Sequence, residues 1–305
     1  MKIAVIGTGA VGGYYGGLFA QQGHEVHFLL NSDYEHVKQN GLKVDSPNGN
    51  FTLNKINAWN KVEDMPVCEL VLITLKTTSN HLLPKILPPI CNEKSKILVL
   101  QNGLDTDADV AKIVPDSRIF GGLCFLCSNK IGPGHIQHLN YGTIRMGEYL
   151  RNGKAARITD SLKEISTLFE SINIPVDLSP DIIEARWRKL VWNIPFNGLC
   201  AVLKKDTKTL VTNPETRELV ISIMKEVLLA AKACGKKIED EFIDQMMALT
   251  DNMGPYKPSM MLDSEAGRPM EVREMYLRPL ENAQRSNCST PLIAKLAAQL
   301  QFFDD

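Results

Sequence analysis

Two groups of residues in this 305-residue chain are of types and spacings that could do chemistry. The first is Gly7-Thr8-Gly9-Ala10-Val11-Gly12, a G-x-G-x-x-G run directly after the apolar segment Lys2–Ile6. In that context Gly7 permits a tight turn, Gly9 lets the backbone approach a pyrophosphate, and Gly12 lets the following helix pack on the strand. The helix start then offers N–H donors and partial positive charge to the phosphates. A glycine-rich turn without a ligand is the plainer alternative, and the strand–loop–helix context argues against it. The second group is Lys189, Asn193 and Asn197, spaced i, i+4, i+8 among Trp192, Ile194 and Phe196. A helix would stack them on one face. One cation and two neutral amides among apolar neighbours differ from an ordinary solvated face, although a surface lysine with two helix-end asparagines would read the same way. Pro195 would kink or restart that helix, which loosens the third position.

Smaller signals accompany these. Lys76 follows the third strand candidate and Asn102 the fourth, at the carboxyl ends where open α/β sheets bind ligands. The end of the second strand ordinarily selects the cofactor: an acidic residue suits NAD and an arginine suits NADP. Here it reads Leu30-Asn31-Ser32-Asp33, which offers neither signal. Ser32 could donate to a phosphate, but Ser32-x-x-Glu35 also reads as a capping box. Asp33, in the first helical turn, is expected to face solvent. Cys124-x-x-Cys127 and His135-x-x-His138 do not make a zinc site, because both pairs lie in strand candidates where residues three apart point to opposite faces. No metal is expected.

The elements that must position these residues follow from the apolar pattern. Strand candidates Lys2–Ile6, Glu25–Leu30, Leu70–Leu75 and Lys96–Leu100 alternate with helix candidates Ala10–Gln22, Asp33–Asn40, Asn80–Leu87 and Asp105–Ile113. This alternation predicts a doubly wound α/β sheet of Rossmann type. Asp45–Asn50 reads as the turn of an inserted hairpin, and strand signals recur at Arg118–Phe125, Gly134–Leu139 and Thr143–Glu148. Beyond about residue 180 the spacing is helical, at Asp181–Asn193, Pro214–Cys234, Asp240–Thr250 and Pro269–Arg285. The expected division is a dinucleotide-binding domain over 1–180 and an all-helical substrate domain over 181–305.

Composition excludes several classes. Hydrophobic residues at 44% can fill a core, and 34 basic against 35 acidic residues leave no field for nucleic acid or an anionic membrane. No apolar run is long enough to span a bilayer and the N-terminus does not read as a secretory signal. Seven scattered cysteines, an odd number, fit reduced thiols in the cytoplasm. A homodimer face in the Met- and Leu-rich helical part and a buried core explain the same composition.

Taken together, these residues resemble the ketopantoate reductase (2-dehydropantoate 2-reductase) family. The resemblance covers nearly the whole chain. Its marks are the glycine loop, Gly23-His24-Glu25-Val26, Gln101-Asn102-Gly103, the Lys189–Asn193–Asn197 row, and Ser259-Met260-Met261 with Glu271 twelve residues after Ser259. The resemblance implies a Rossmann domain joined to a helical domain with the active site in the cleft between. It implies NADPH-dependent reduction of 2-dehydropantoate to (R)-pantoate, a step toward pantothenate and coenzyme A. By motif position Lys189 would be the general acid, with Asn193, Asn197 and Ser259 on the substrate. Lys76, Asn102 and Glu271 would lie near the nicotinamide and the reacting carbonyl. The family commonly has an arginine where this chain has Asn31. Losing one charge-assisted contact of about 1.5–3 kcal/mol would weaken NADP binding roughly 10- to 150-fold, which leaves NADH open. Two alternatives stand beside this expectation: a reductase of another 2-keto acid on the same fold, and a non-catalytic dinucleotide-binding sensor that would not need Lys189.

Overall fold

The computed structural model describes residues 1–304 and falls into two compact units. One comprises residues 1–101 and 106–182, the other residues 102–105 and 183–304.

The first unit is built on a sheet whose central strands are continuous apolar runs. β1 (Lys2–Ile6), β6 (Leu70–Ile73) and β7 (Lys96–Val99) are almost entirely buried, as parallel strands covered on both faces must be. β1 pairs in parallel with β2 (Glu25–Leu29) on one side and with β6 on the other; β2 continues to β5 (Asn57–Trp59) and β6 to β7. The chain therefore winds outward in both directions from the β1–β6 seam, and such a switch point is where open sheets bind ligands. Helix α1 (Ala10–Gln21) starts at the end of β1. Two 14-residue antiparallel strands, β8 (Ile119–Gly132) and β9 (His135–Glu148), replace the three short strands expected in this region. Their hairpin packs against α1, with the Tyr15 hydroxyl donating to Gly142 O at 2.9 Å and Tyr14 against His138. The inserted hairpin forms as β3 (Leu42–Asp45) with β4 (Phe51–Leu53), and β3 also pairs in parallel with β9.

The second unit is helical and packs around Trp187, Leu190, Val191, Ile194 and Phe196 of its first long helix, α6 (Ile182–Leu203). The smaller helices of the first unit are α2 (Tyr34–Asn40), α3 (Leu83–Ile90), α4 (Thr106–Ala111) and α5 (Asp160–Glu170). After α6 come α7 (Thr207–Thr212), α8 (Pro214–Ala233), α9 (Glu241–Asn252), α10 (Ser259–Glu265), α11 (Arg278–Arg285) and α12 (Pro291–Asp304). Asn213 caps α8 by accepting from Thr216 N at 2.9 Å, and Gly235 ends it with φ of 75°.

Three local expectations are corrected. Pro195 does not restart the helix: α6 runs unbroken for 22 residues with the proline inside it. The buried Tyr276 hydroxyl donates to Ile194 O at 2.8 Å, supporting the backbone beside the turn that lacks the proline N–H. The helical run expected over Pro269–Arg285 begins later, at Val272, and opens with a π turn over Arg273–Leu277 that continues directly into α11. Ser32 does not cap α2: Asp33 precedes the helix with no side-chain cap, and its carboxylate is buried rather than facing solvent.

Candidate functional site

The site residues fall into one group in each unit. In the first unit the glycine loop lies at the switch point. Gly7 has φ of 100°, and a Cβ there would stand 2.4 Å from the Leu75 backbone. A Cβ on Gly12 would meet Gly7 O at 2.3 Å and Val5 at 2.9 Å, so the helix can sit this close to β1 only without a side chain. At Gly9 the same added atom meets nothing within 4 Å. The loop is thus packed tight from behind and open in front, with α1 beginning at Ala10 and Val11 and presenting N–H groups that a helix cannot itself satisfy. That arrangement fits a pyrophosphate. Thr8, also buried, donates to Leu29 O at 3.1 Å and so ties the loop to the end of β2, where Asn31 and Ser32 are exposed.

Two residues that sequence reasoning gave no such role, Thr74 and Gln101, brace this loop. Thr74 Oγ1 donates to Gly7 O at 2.7 Å. Gln101 Nε2 donates to Leu75 O at 2.8 Å and to Asn80 Oδ1 at 2.6 Å, holding the segment that carries the exposed Lys76. The signal for Gln101 was its place beside Asn102 at a strand end.

In the second unit, Lys189, Asn193 and Asn197 lie on successive turns of α6, about 6 Å apart along the axis. Asn193 is 6% exposed and Asn197 3% exposed, which removes the solvated-face alternative. The Lys189 ammonium donates to Asn102 Oδ1 at 2.8 Å. Asn102 is itself held in place because residues 102–105 pack within the helical unit. Buried Arg186, one turn before Lys189, donates to Gly103 O at 3.2 Å. Leu104 N donates to Glu274 O at 2.9 Å, and Arg278 donates to Asp105 O at 2.6 Å. Gly103 is required here: its φ is 92°, and a Cβ would stand 2.6 Å from Glu274. No sequence pattern pointed to Arg186 or Arg278, because each acts on backbone far away in the chain.

The far end of the row is also built. Asn197 Oδ1 accepts from Met260 N at 3.2 Å and lies 3.4 Å from Ser259 Oγ. The backbone N–H identifies the oxygen of that amide and turns its NH2 the other way, as a donor. Glu271, 3% exposed, sits just before the π turn, a distortion often found where a helix serves a site. The structure therefore joins Lys189 to Asn102 and Asn197 to Ser259, with Asn193 on the turn between them. Among the described residues no cluster of His, Cys, Asp or Glu could hold a metal. His135 and His138 contact Asp45 and Ser46 instead.

Comparison with known proteins bears on this arrangement. The model of the ketopantoate reductase PanE/ApbA family matches residues 3–151, and that of the family's C-terminal part matches residues 181–304. A 2-dehydropantoate 2-reductase from Nostoc sp. is 48% identical over 303 residues, covering 99% of this chain and 95% of the relative. The crystal structure of 2-dehydropantoate 2-reductase from Geobacter metallireducens superposes with a TM-score of 0.95 at 41% identity, covering 99% of both chains. A D-mandelate dehydrogenase with NADH and anilino(oxo)acetate shares the fold at 20% identity, with a TM-score of 0.92 over 100% of this chain and 98% of that one.

Proposed function

The chain belongs to the ketopantoate reductase family, and from that premise we infer that it reduces 2-dehydropantoate to (R)-pantoate, a step toward pantothenate and coenzyme A. The observation that carries the inference is the Lys189 ammonium, held at 2.8 Å by Asn102 on the helix face that also bears buried Asn193 and Asn197.

The chemistry asks for a proton donor, donors for the substrate's oxygens and a hydride source. Reduction turns the keto carbon into an alcohol carbon: the carbon gains a hydride and its oxygen a proton. A reduced nicotinamide supplies the hydride when bound, held through its pyrophosphate by the loop Gly7–Gly12. Lys189 is the general acid. Its ammonium stabilises negative charge as it grows on the keto oxygen and then delivers the proton. Asn102 orients that ammonium. Asn193, Asn197 and Ser259 bind the substrate carboxylate and hydroxyl with neutral groups. Glu271 stands beside the reacting carbonyl in the same reading, and Lys76 beside the cofactor. NADPH is the preferred cofactor, with NADH the alternative because Asn31 stands where an arginine is usual. The seven free cysteines agree with a reducing, cytoplasmic setting.

A reductase of another 2-keto acid is the second reading, favoured by the fold shared with a D-mandelate dehydrogenase. The test is absorbance loss at 340 nm with 2-dehydropantoate beside pyruvate, branched and aryl 2-keto acids, each with NADPH and with NADH. The highest kcat/KM is expected for 2-dehydropantoate with NADPH. A higher value for a different acid would replace the substrate, and a higher value with NADH would replace the cofactor. Nucleotide binding without turnover of any keto acid would leave a sensor.

A further inference from the structure

The end of β2 carries a built corner that the glycine loop and the catalytic row do not use. In doubly wound folds this end receives the adenosine ribose, where a carboxylate accepts the 2′-hydroxyl of NAD and a cation accepts the 2′-phosphate of NADP. Asn31 supplies neither charge. Asp33 has the right type for the first role but is withdrawn from it. It is 6% exposed, its Oδ2 takes the Lys130 ammonium at 2.5 Å and Gly134 N at 3.0 Å, and its Oδ1 lies 3.2 Å from Ser32 Oγ. Buried and already accepting from three groups of the protein, it is a poor partner for a ribose hydroxyl.

The same contacts bring a cation to the corner from far away in the chain. Lys130 lies near the tip of the β8–β9 hairpin, beside a register shift between Lys130 and Gly132 of the kind that re-aims a side chain. The tip is fixed from two sides: Gly134 N bonds Asp33, and Gly134 O accepts from Lys43 N at 2.8 Å. A third of the Lys130 side chain stays exposed, and an ammonium has donors beyond the one given to Asp33. Ser32 and Lys130 thus sit on the two oxygens of one carboxylate, at the exposed end of β2.

We propose that Lys130, with Ser32, reads the 2′-phosphate of NADPH in this chain, and that Asp33 serves to position Lys130. The proposal rests on the dinucleotide role of the glycine loop and adds which residues select between the two cofactors. Lys38, one turn along α2, is the rival cation; its ammonium lies 3.0 Å from the Tyr34 hydroxyl.

Isothermal titration calorimetry of the protein without substrate tests this, using 2′,5′-ADP and 5′-AMP as probes. Lys130→Gln is expected to weaken 2′,5′-ADP binding about tenfold or more while 5′-AMP changes less than about twofold. Lys130→Arg, which keeps the charge, is expected to stay within about threefold of wild type for both probes. An equal loss of both probes in Lys130→Gln would mean a structural role and would overturn the proposal. So would no loss, or the same selective loss in Lys38→Ala. Wild type that binds 5′-AMP as tightly as 2′,5′-ADP would overturn it while leaving the nucleotide site intact. Wild type that binds neither would remove the dinucleotide reading as well.

Discussion

Lys189 depends on Asn102 for its direction, and the carboxamide is a neutral acceptor that orients an ammonium without neutralising it. Asn102→Ala is therefore expected to lower kcat/KM about tenfold by freeing the lysine to rotate, measured by steady-state kinetics with 2-dehydropantoate. An unchanged value would mean that the contact does nothing for the reaction. Elsewhere, burial makes cysteines inert. Burial pushes the Cys200 thiol up to about 12, and the Cys68 thiol likewise to about 12. Both stay protonated at pH 8, where the thiolate is the reactive form. Iodoacetamide at pH 8 followed by mass spectrometry should leave both unmodified in the folded protein and modify both after unfolding.

At the scale of elements, the glycine loop separates packing from binding. A methyl on Gly12 meets backbone at 2.3 Å, whereas one on Gly9 points into open space. Gly12→Ala should cost about 1–3 kcal/mol of stability by urea titration. Gly9→Ala should unfold at nearly the wild-type midpoint and lose about tenfold or more in dinucleotide affinity, because its methyl occupies the approach to the pyrophosphate. The loop was readable from sequence because its strand, turn and helix are consecutive. The Lys189–Asn193–Asn197 face was readable for the same reason, since i, i+4 spacing is a local rule. Asn102 is legible as a strand-end residue but not as the partner of Lys189, 87 positions away. The hydroxyl that supports α6 beside Pro195 bonds Ile194 O from Tyr276, 82 positions further on, where no local rule could show it.

Across the molecule, the chain passes between the two units three times, and residues 102–105 belong with the helices although their neighbours on both sides belong with the sheet. Sequence texture shows where strands give way to helices but cannot show so short an excursion. Asp33 illustrates the same limit. Its sequence neighbours imply solvent, while Lys130 and Gly134, about a hundred positions later, bury it. Burial alone would raise its carboxyl pKa, but the Lys130 hydrogen bond and the Gly134 N–H outweigh that and hold it below the ordinary 3.8. A lowered folded value means that stability is present at neutral pH and is lost as pH falls below about 4. Wild type should lose urea midpoint over that range, and Asp33→Asn should lose less of its own. The central claim, that Lys189 protonates the keto oxygen of 2-dehydropantoate, is tested most directly by Lys189→Ala assayed at 340 nm with NADPH. The predicted result is a kcat lower by about 100-fold or more with the nucleotide Kd unchanged; a kcat equal to wild type would contradict it.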